Sequence, residues 1–348
     1  MSRNRIGLIG HFGGNEPFCD GQTVKTKNLF RALSEAFSSE EIKRLDTYYF
    51  RKNPFSFLFR TLKVFFSCKN IVILPDANGF KVFLTLFSFL NIFCRRKIHY
   101  AVVGGWMPVF VGKHKFYRNM TKRIEGVYVE TTSMKNDLEK LGFKNVYILR
   151  NFKYIEPLCP EDLTFDNDAP HKLCIFSRIM EEKGVEDAIN AITEINNAAG
   201  SVVFTLDLFG PIDDGYKTRF EQLQSTFPYY IRYMGMVDSS KSVEILKDYF
   251  ALLFPTKFYT EGIPGTLIDA CAAGVPVITA LWGNYGDVFY EGVTGWGYEF
   301  GNVDEFKSLL IKAADKPEDF SKMKATALAA ADKYLPSSCV EIIAKRIL

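Results

Sequence analysis

The chain is short of what a metal centre or a disulfide scaffold needs. Its 348 residues hold four histidines, at 11, 99, 114 and 171, and none are in H-x-x-x-H spacing. The seven cysteines, at 19, 68, 94, 159, 174, 271 and 339, are odd in number, scattered and never in a C-x-x-C pair. That usage fits a reducing compartment and carries no zinc signature, so no metal site is expected. A membrane-length apolar run is also missing. The longest, Val82–Cys94, has 13 residues and includes Thr85, Ser88 and Asn91, against about 20 needed to cross a bilayer. Ile6–Ile9 is too short for the core of a secretory leader. There is no low-complexity tract, no internal repeat and no G-x-G-x-x-G. The expectation is a globular, cytoplasmic protein, soluble or peripheral on a membrane.

What is present fits that class. Hydrophobic residues make up 47% and charged residues 24%, with 32 Phe and 17 Tyr. A chain of this size buries large cores without covalent staples and divides into about two domains. Net charge is only +3, but it is unevenly placed: residues 1–152 carry +14 and residues 153–348 carry −11. A basic half calls for an anionic partner. No nucleic-acid motif accompanies the charge, so nucleic acid is not expected. Residues 51–69 interleave Arg51, Lys52, Arg60, Lys63 and Lys69 with five phenylalanines. This pattern suits an anionic membrane surface, although two core helices with solvated basic flanks would read the same way.

Strand-like and helix-like segments alternate throughout. Strands are predicted at 5–9, 70–74, 97–103, 127–130, 146–149, 173–177, 203–209, 231–234, 251–254 and 277–279, with helices between them. Repeated β-then-α order implies parallel sheets covered on both faces. The period breaks at Lys153–His171, which has three prolines among acidic residues. The fold class read from this is α/β, with two Rossmann-like domains facing across a cleft. Their boundaries are 1–152, a linker 153–170, 171–334, and a terminal helix 335–348 that crosses back to the first domain. Ligands of such sheets lie beyond the carboxyl ends of the strands.

Four loops carry candidate chemistry. Arg178 and Lys183, five apart past a strand end, form a two-sided clamp for a diphosphate, or else a solvated pair beside Glu181 and Glu182. In Glu261-Gly262-Ile263-Pro264-Gly265-Thr266-Leu267, a glycine-rich turn opens a helix. The N–H groups of Gly265, Thr266 and Leu267 face an anion there, helped by the helix dipole. Glu261 can accept from sugar hydroxyls, and Asp269, one turn into the helix, can reach a ribose. In the first half, Gly13 and Gly14 follow the first strand and Gly21 opens the first helix after an N-cap Asp20, so a phosphate could approach that helix end. No acidic residue is expected to end the second strand, which disfavours a dinucleotide site. Gly104, Gly105 and Trp106 follow the central strand and are expected to line the acceptor or sugar pocket. His99 reads as a packed strand histidine.

In combination, FSRIMEEKGVEDAINAI, TLDLFGP, YMGMV, ALLFPTKFYTEGIPGTLIDACAAGVPVIT and GVTGWGYEFGNVDEF resemble the retaining glycosyltransferases of family 4 (glycosyl transferases group 1, GT-B fold). DGQTVKTKNLFRAL and VYVETTSMKNDLEKLGFKNVYILRN match more loosely. The resemblance implies that Arg178 and Lys183 hold the donor diphosphate, that Glu261 binds the donor sugar, and that these three are catalytic. The family's E-x7-E pair here reads Glu261-x7-Asp269, and Gly104-Gly105 stand where the family often has a histidine. It further implies a metal-independent, cofactor-free hexose transfer from a nucleotide sugar, UDP favoured and GDP second, to a glycan or lipid-linked glycan in polysaccharide biosynthesis. The alternative is a non-catalytic glycosyltransferase-like subunit that stabilises a partner enzyme.

Overall fold

The computed structural model describes residues 6–15 and 20–347. Arg5, Cys19 and Leu348, which the sequence reading includes in its elements and counts, lie outside them. The chain divides into two compact units. Unit 1 holds the residues up to Tyr154, the short segment Thr260–Ile263, and those from Tyr334 on; unit 2 holds Ile155–Tyr259 and Pro264–Lys333.

Unit 1 is built on six parallel strands: β1 (Ile6–Gly10), β2 (Ile42–Asp46), β3 (Asn70–Ile73), β4 (Lys97–Ala101), β5 (Gly126–Val129) and β6 (Val146–Ile148), in the order β2-β1-β3-β4-β5-β6. Its helices are α1 (Gly21–Phe37), α2 (Pro54–Ser67), α3 (Ala77–Cys94), α4 (Met107–Lys113), α5 (Lys115–Thr121) and α6 (Thr132–Lys140). β1, β3 and β5 are buried along their whole length, as strands covered on both faces must be. Local signals start the helices where the sequence suggests. Asp20 caps α1 by accepting from Thr23 N–H, and Asn53 caps α2 by accepting from Ser56 N–H ahead of Pro54.

Unit 2 repeats the plan with β7 (His171–Phe176), β8 (Phe204–Phe209), β9 (Ile231–Gly235), β10 (Ala251–Phe254), β11 (Val277–Leu281) and β12 (Gly295–Glu299), in the order β12-β11-β10-β7-β8-β9. Its helices are α7 (Val185–Ala199), α8 (Lys217–Gln224), α9 (Ser242–Leu246), α10 (Gly265–Ala272), α11 (Val303–Asp315), α12 (Pro317–Ser321) and α13 (Met323–Ala329). α7 buries Val185, Ala188, Ile189, Ile192 and Ile195, the 3–4 spacing of one helical face. The segment after Tyr154 is packed on this unit: Leu158 N–H donates to Ala272 O (2.8 Å) and Lys324 Nζ to Thr164 O (2.7 Å). Two last helices, α14 (Pro336–Cys339) and α15 (Glu341–Ile347), belong to unit 1. Asn70 Nδ2 donates to Ile347 O there, and Ile343 and Ile347 enter the core with Leu29 and Leu33.

The structure corrects the sequence reading in three places. β2 went unpredicted because it is a mixed-polarity strand (Ile-Lys-Arg-Leu-Asp) at the sheet edge, where charges are ordinary. β12 went unpredicted because it starts at Gly295 with φ 153°. A Cβ at that position would stand 1.9 Å from Val277 O of the neighbouring strand, so glycine is required where strand propensity argues against it. α3 has 18 residues, longer than the helix 80–93 and the 13-residue apolar run read from the sequence, and by length and composition alone it could cross a membrane. Its Phe80, Phe83, Leu84 and Phe87 nevertheless pack into the unit 1 core, with Phe87 stacked on Phe65 of α2 at 5.2 Å.

Candidate donor-binding loops

In a doubly wound sheet, ligands collect at the carboxyl ends of the strands where the winding reverses. In unit 2 the chain starts at β7, winds out through β8 and β9, and returns to β10 on the other side of β7. The reversal therefore lies between β7 and β10. The loops that leave those two strands carry Arg178 and Lys183 on one side, and Thr256–Leu267 on the other.

The two loops are fastened to each other. Lys257 N–H donates to Glu182 O at 2.7 Å, and Lys257 Nζ pairs with Asp187 at 3.0 Å. Gly184 makes the close approach possible. It has φ 69°, and a Cβ there would stand 1.9 Å from Pro255 O. Lys183 Nζ lies over the rings of Phe254 (5.4 Å) and Phe258 (5.1 Å), so its ammonium is held at the end of β10. Arg178 is exposed and reaches towards the β8 loop, where its guanidinium meets Asp213 at 3.4 Å. Exposed pairs of this kind contribute little to stability, so the guanidinium can exchange that partner for a phosphate at small cost.

α10 begins at Gly265 after Pro264 with no side-chain cap and no acidic residue in its first turn. The Thr266 hydroxyl is buried without a hydrogen-bond partner. One of the three expected amides is already used: Leu267 N–H donates to Pro264 O at 3.1 Å. The tight first turn takes it, which leaves the amides of Gly265 and Thr266 from the expected set. Asp269 is 1% exposed and accepts from Ser242 Oγ of α9 at 2.9 Å. Its carboxylate lies beneath the surface of the helix.

Glu261, Gly262 and Ile263 belong with unit 1 rather than with the loop residues that flank them. Gly105 N–H donates to Thr260 O (2.9 Å), Asn151 Nδ2 to Ile263 O (2.9 Å), and Ile263 N–H to the Glu130 carboxylate (2.7 Å). The expected sugar-pocket loop is thus in contact with the expected sugar-binding segment. Gly104 has φ 74°, and Trp106 Nε1 donates to Val103 O while its ring packs edge-on to Phe80 at 5.7 Å.

The first glycine loop is arranged differently from the sequence reading. An acidic residue does end the second strand: Asp46 closes β2 and accepts from the N–H groups of Phe12 (2.9 Å), Gly14 (2.8 Å) and Tyr48 (3.0 Å). It holds the Gly13-Gly14 turn, whose φ values are 83° and 59°, and the Gly14 amide is directed inward. Gly21 is exposed, with open space beside it. Lys25 and Glu130, the other buried charges in this region, were not singled out from sequence. The available signals were a carboxylate ending the apolar strand Val127–Glu130 and a lysine among the buried positions of α1.

Two parallel six-stranded α/β sheets, with the terminal helices returned to the first unit, are the GT-B fold. Residues 170–316 match the family described as glycosyl transferases group 1. Among solved structures, HepE of Anabaena in complex with UDP and glucose is similar with a TM-score of 0.73 and 13% identity, over 98% of both chains. The sucrose-phosphate synthase of Thermosynechococcus elongatus is similar with a TM-score of 0.74 and 13% identity, over 99% of this chain and 98% of that one. By sequence, the chain is 23% identical over 225 residues to a glycogen synthase of Mycobacterium tuberculosis, covering 61% of this chain and 52% of that protein. It is 21% identical over 154 residues to the amylovoran biosynthesis glycosyltransferase AmsK of Erwinia amylovora, covering 43% and 37%. The matched segments span about half the length of these curated relatives or less. The resemblance to group 1 glycosyltransferases of GT-B fold, read from the sequence, holds.

Proposed function

We propose that the chain is a retaining, family 4 hexosyltransferase that uses a nucleotide-diphosphate sugar, UDP favoured over GDP, to extend a glycan or lipid-linked glycan during polysaccharide biosynthesis. The observation that carries this reading is the β7/β10 reversal of unit 2, whose two loops, joined by the Lys257 N–H to Glu182 O bond, carry Arg178, Lys183 and the uncapped start of α10. Departure of the nucleoside diphosphate develops negative charge. A planar guanidinium, an ammonium and fixed amide dipoles stabilise that charge without reorganising during the reaction. In this reading no metal or organic cofactor takes part. Glu261 accepts from the donor sugar's hydroxyls. Asp269, drawn in by Ser242, contributes through its place under the helix start. Retention follows from the family resemblance. UDP is favoured because HepE was solved with it.

The reading extends to a membrane surface. α2 and α3 pack together through Phe57–Phe83 and Phe65–Phe87. Outside those contacts they leave Phe55 (86% exposed), Phe59, Phe66, Phe89, Ile92 and Phe93 (77% exposed) in solvent. Arg51, Lys52, Arg60, Lys63, Lys69 and Arg95 are exposed around them. Aromatic side chains ringed by basic ones suit an anionic bilayer interface, and an enzyme that meets a lipid-linked acceptor on the cytoplasmic face needs such a surface.

The test is thermal-shift binding of UDP, GDP and ADP, with Arg178→Ala as control. A nucleotide that raises Tm in wild type and fails in the variant supports the assignment. If none of the three raises Tm in wild type, the non-catalytic subunit becomes the better reading.

A further inference from the structure

Lys25 and Glu130 take no part in the chemistry proposed above, yet they form an ion pair buried at both ends, with side chains 2% and 4% exposed. Such a pair rarely contributes more to folding than two apolar residues of the same volume. Its value therefore has to be sought in what it holds. Lys25 Nζ donates to the Glu130 carboxylate and to Val102 O at 2.6 Å. Glu130 Oε1 also accepts from Gly104 N–H at 3.3 Å, and Oε2 accepts from Ile263 N–H at 2.7 Å. One carboxylate thus holds the loop after β4 with one oxygen and the segment after Glu261 with the other.

We propose that the Lys25–Glu130 pair is a positioning device for the donor-sugar loop, setting where Glu261 stands through the backbone of Ile263. This rests on the role given to Glu261 under the proposed function. Three backbone atoms around Glu261 are fixed within unit 1: Thr260 O by Gly105, Ile263 N by Glu130, and Ile263 O by Asn151. Gly262 belongs to the device as well. A Cβ there would stand 1.9 Å from Glu130 Oε2 and 3.1 Å from Gly104 Cα, so only glycine lets the segment lie on the carboxylate. Lys25 holds that carboxylate in place through the ion pair and is itself anchored on Val102 O. A charged acceptor holds an amide more firmly than a neutral one.

The test uses the full chain and measures nucleotide release from UDP-glucose, GDP-mannose and ADP-glucose, with inhibition by the matching free nucleotide. Lys25→Met with Glu130→Leu removes both charges together and leaves no lone buried ion. Gly262→Ala disturbs the contact from the loop side and leaves the pair in place. Each variant should lower kcat/KM for the sugar nucleotide by about tenfold or more, the scale of one charge-assisted hydrogen bond. The free nucleotide's inhibition constant should stay within about twofold. Lys25→Met with Glu130→Gln keeps an acceptor for Ile263 N–H and should recover most of the loss. A folded Lys25→Met/Glu130→Leu or Gly262→Ala protein with wild-type kcat/KM overturns the proposal, as does an equal loss of sugar nucleotide and free nucleotide. Wild type that releases nucleotide from none of the three donors, and whose Tm no nucleotide raises, refutes the proposed function itself.

Discussion

Gly184→Ala is expected to damage the donor loops in two separable ways. The residue ends the turn at Lys183 and starts α7 with φ 69° and ψ 25°. A left-handed backbone costs an alanine about 1–2 kcal/mol. The added Cβ would also stand 1.9 Å from Pro255 O and 2.9 Å from Pro255 C. Both are backbone atoms, so one loop must move by roughly 1 Å, and overpacking of this kind costs about 1–3 kcal/mol. The sum is about 2–5 kcal/mol, or a drop in Tm of roughly 5–15 °C for a unit of this size. The movement also pulls apart the Lys257 N–H to Glu182 O bond and carries Lys183 away from Phe254 and Phe258, so UDP affinity should fall with stability. Gly200→Ala isolates the backbone part. Gly200 has φ 64°, and a Cβ added there would meet nothing within 4 Å, so its cost should stop at about 1–2 kcal/mol with UDP affinity unchanged. Urea unfolding and calorimetric UDP titration of the two variants decide the matter. If Gly184→Ala is no more costly than Gly200→Ala, the loops are not in the close contact described, and the argument for a preformed phosphate clamp fails.

Three further outcomes are expected. Lys183→Ala and Arg178→Ala should each weaken UDP binding by about tenfold or more, the loss of one charged hydrogen-bond donor. Arg178→Ala should shift stability by less than about 1 kcal/mol because its partner Asp213 is a surface contact; a large loss of stability with unchanged UDP binding would make Arg178 structural. His99 is fully buried between Tyr128 and Asn70. Burial, with Lys97 and Arg346 adding repulsion, lowers its pKa to about 4, so the unfolded chain binds the proton first. The stability due to neutral His99 is complete above pH 6.5 and fades as pH falls, by roughly 3 kcal/mol near pH 4. His99→Gln should flatten that part of the pH profile of unfolding; identical profiles would refute it. Phe59→Glu with Phe93→Glu replaces exposed side chains, so it should leave Tm nearly unchanged and abolish flotation with anionic vesicles at low salt. Undiminished flotation would remove α2 and α3 from the membrane proposal.

The fold was legible where burial imposes a period. Val185–Ile195 announces α7, and the short, mostly apolar runs of β1, β3 and β10 announce buried parallel strands. It was not legible where sheet position overrides propensity, as in the charged edge strand β2 and in β12, whose Gly295 exists to clear Val277 O. The candidate site divides in the same way. Arg178, Lys183 and the glycines before α10 stand out because charge and glycine at a strand end are uncommon without cause. Lys25 and Glu130 are 105 residues apart, and only the sheet order brings the end of β5 beside α1. Asp46 was hidden for a related reason: without β2 there was no strand for it to end.

The two sheets show why one carboxyl end and not the other should receive an anion. In unit 1 the winding reverses between β1 and β3, and the loop after β1 contains two glycines of positive φ, which looks like a phosphate cradle. Its amides, however, converge on Asp46: Phe12 N–H and Gly14 N–H each donate to one of its two oxygens. A phosphate there would have to displace a fixed carboxylate and then face its charge. α1 is likewise closed by Asp20, which takes both the amide and the hydroxyl of Thr23. In unit 2 the helix after β10 carries no carboxylate cap, the Thr266 hydroxyl is buried without a partner, and the neighbouring loop brings a guanidinium and an ammonium. Unit 1 therefore supplies its own anions and unit 2 leaves the position open, although the first half of the chain carries the positive net charge and the second half the negative. Under the proposed function, the excess lysine and arginine of the first half are available to an anionic membrane surface. The exposed basic residues around α2 and α3 are where that surface would be met.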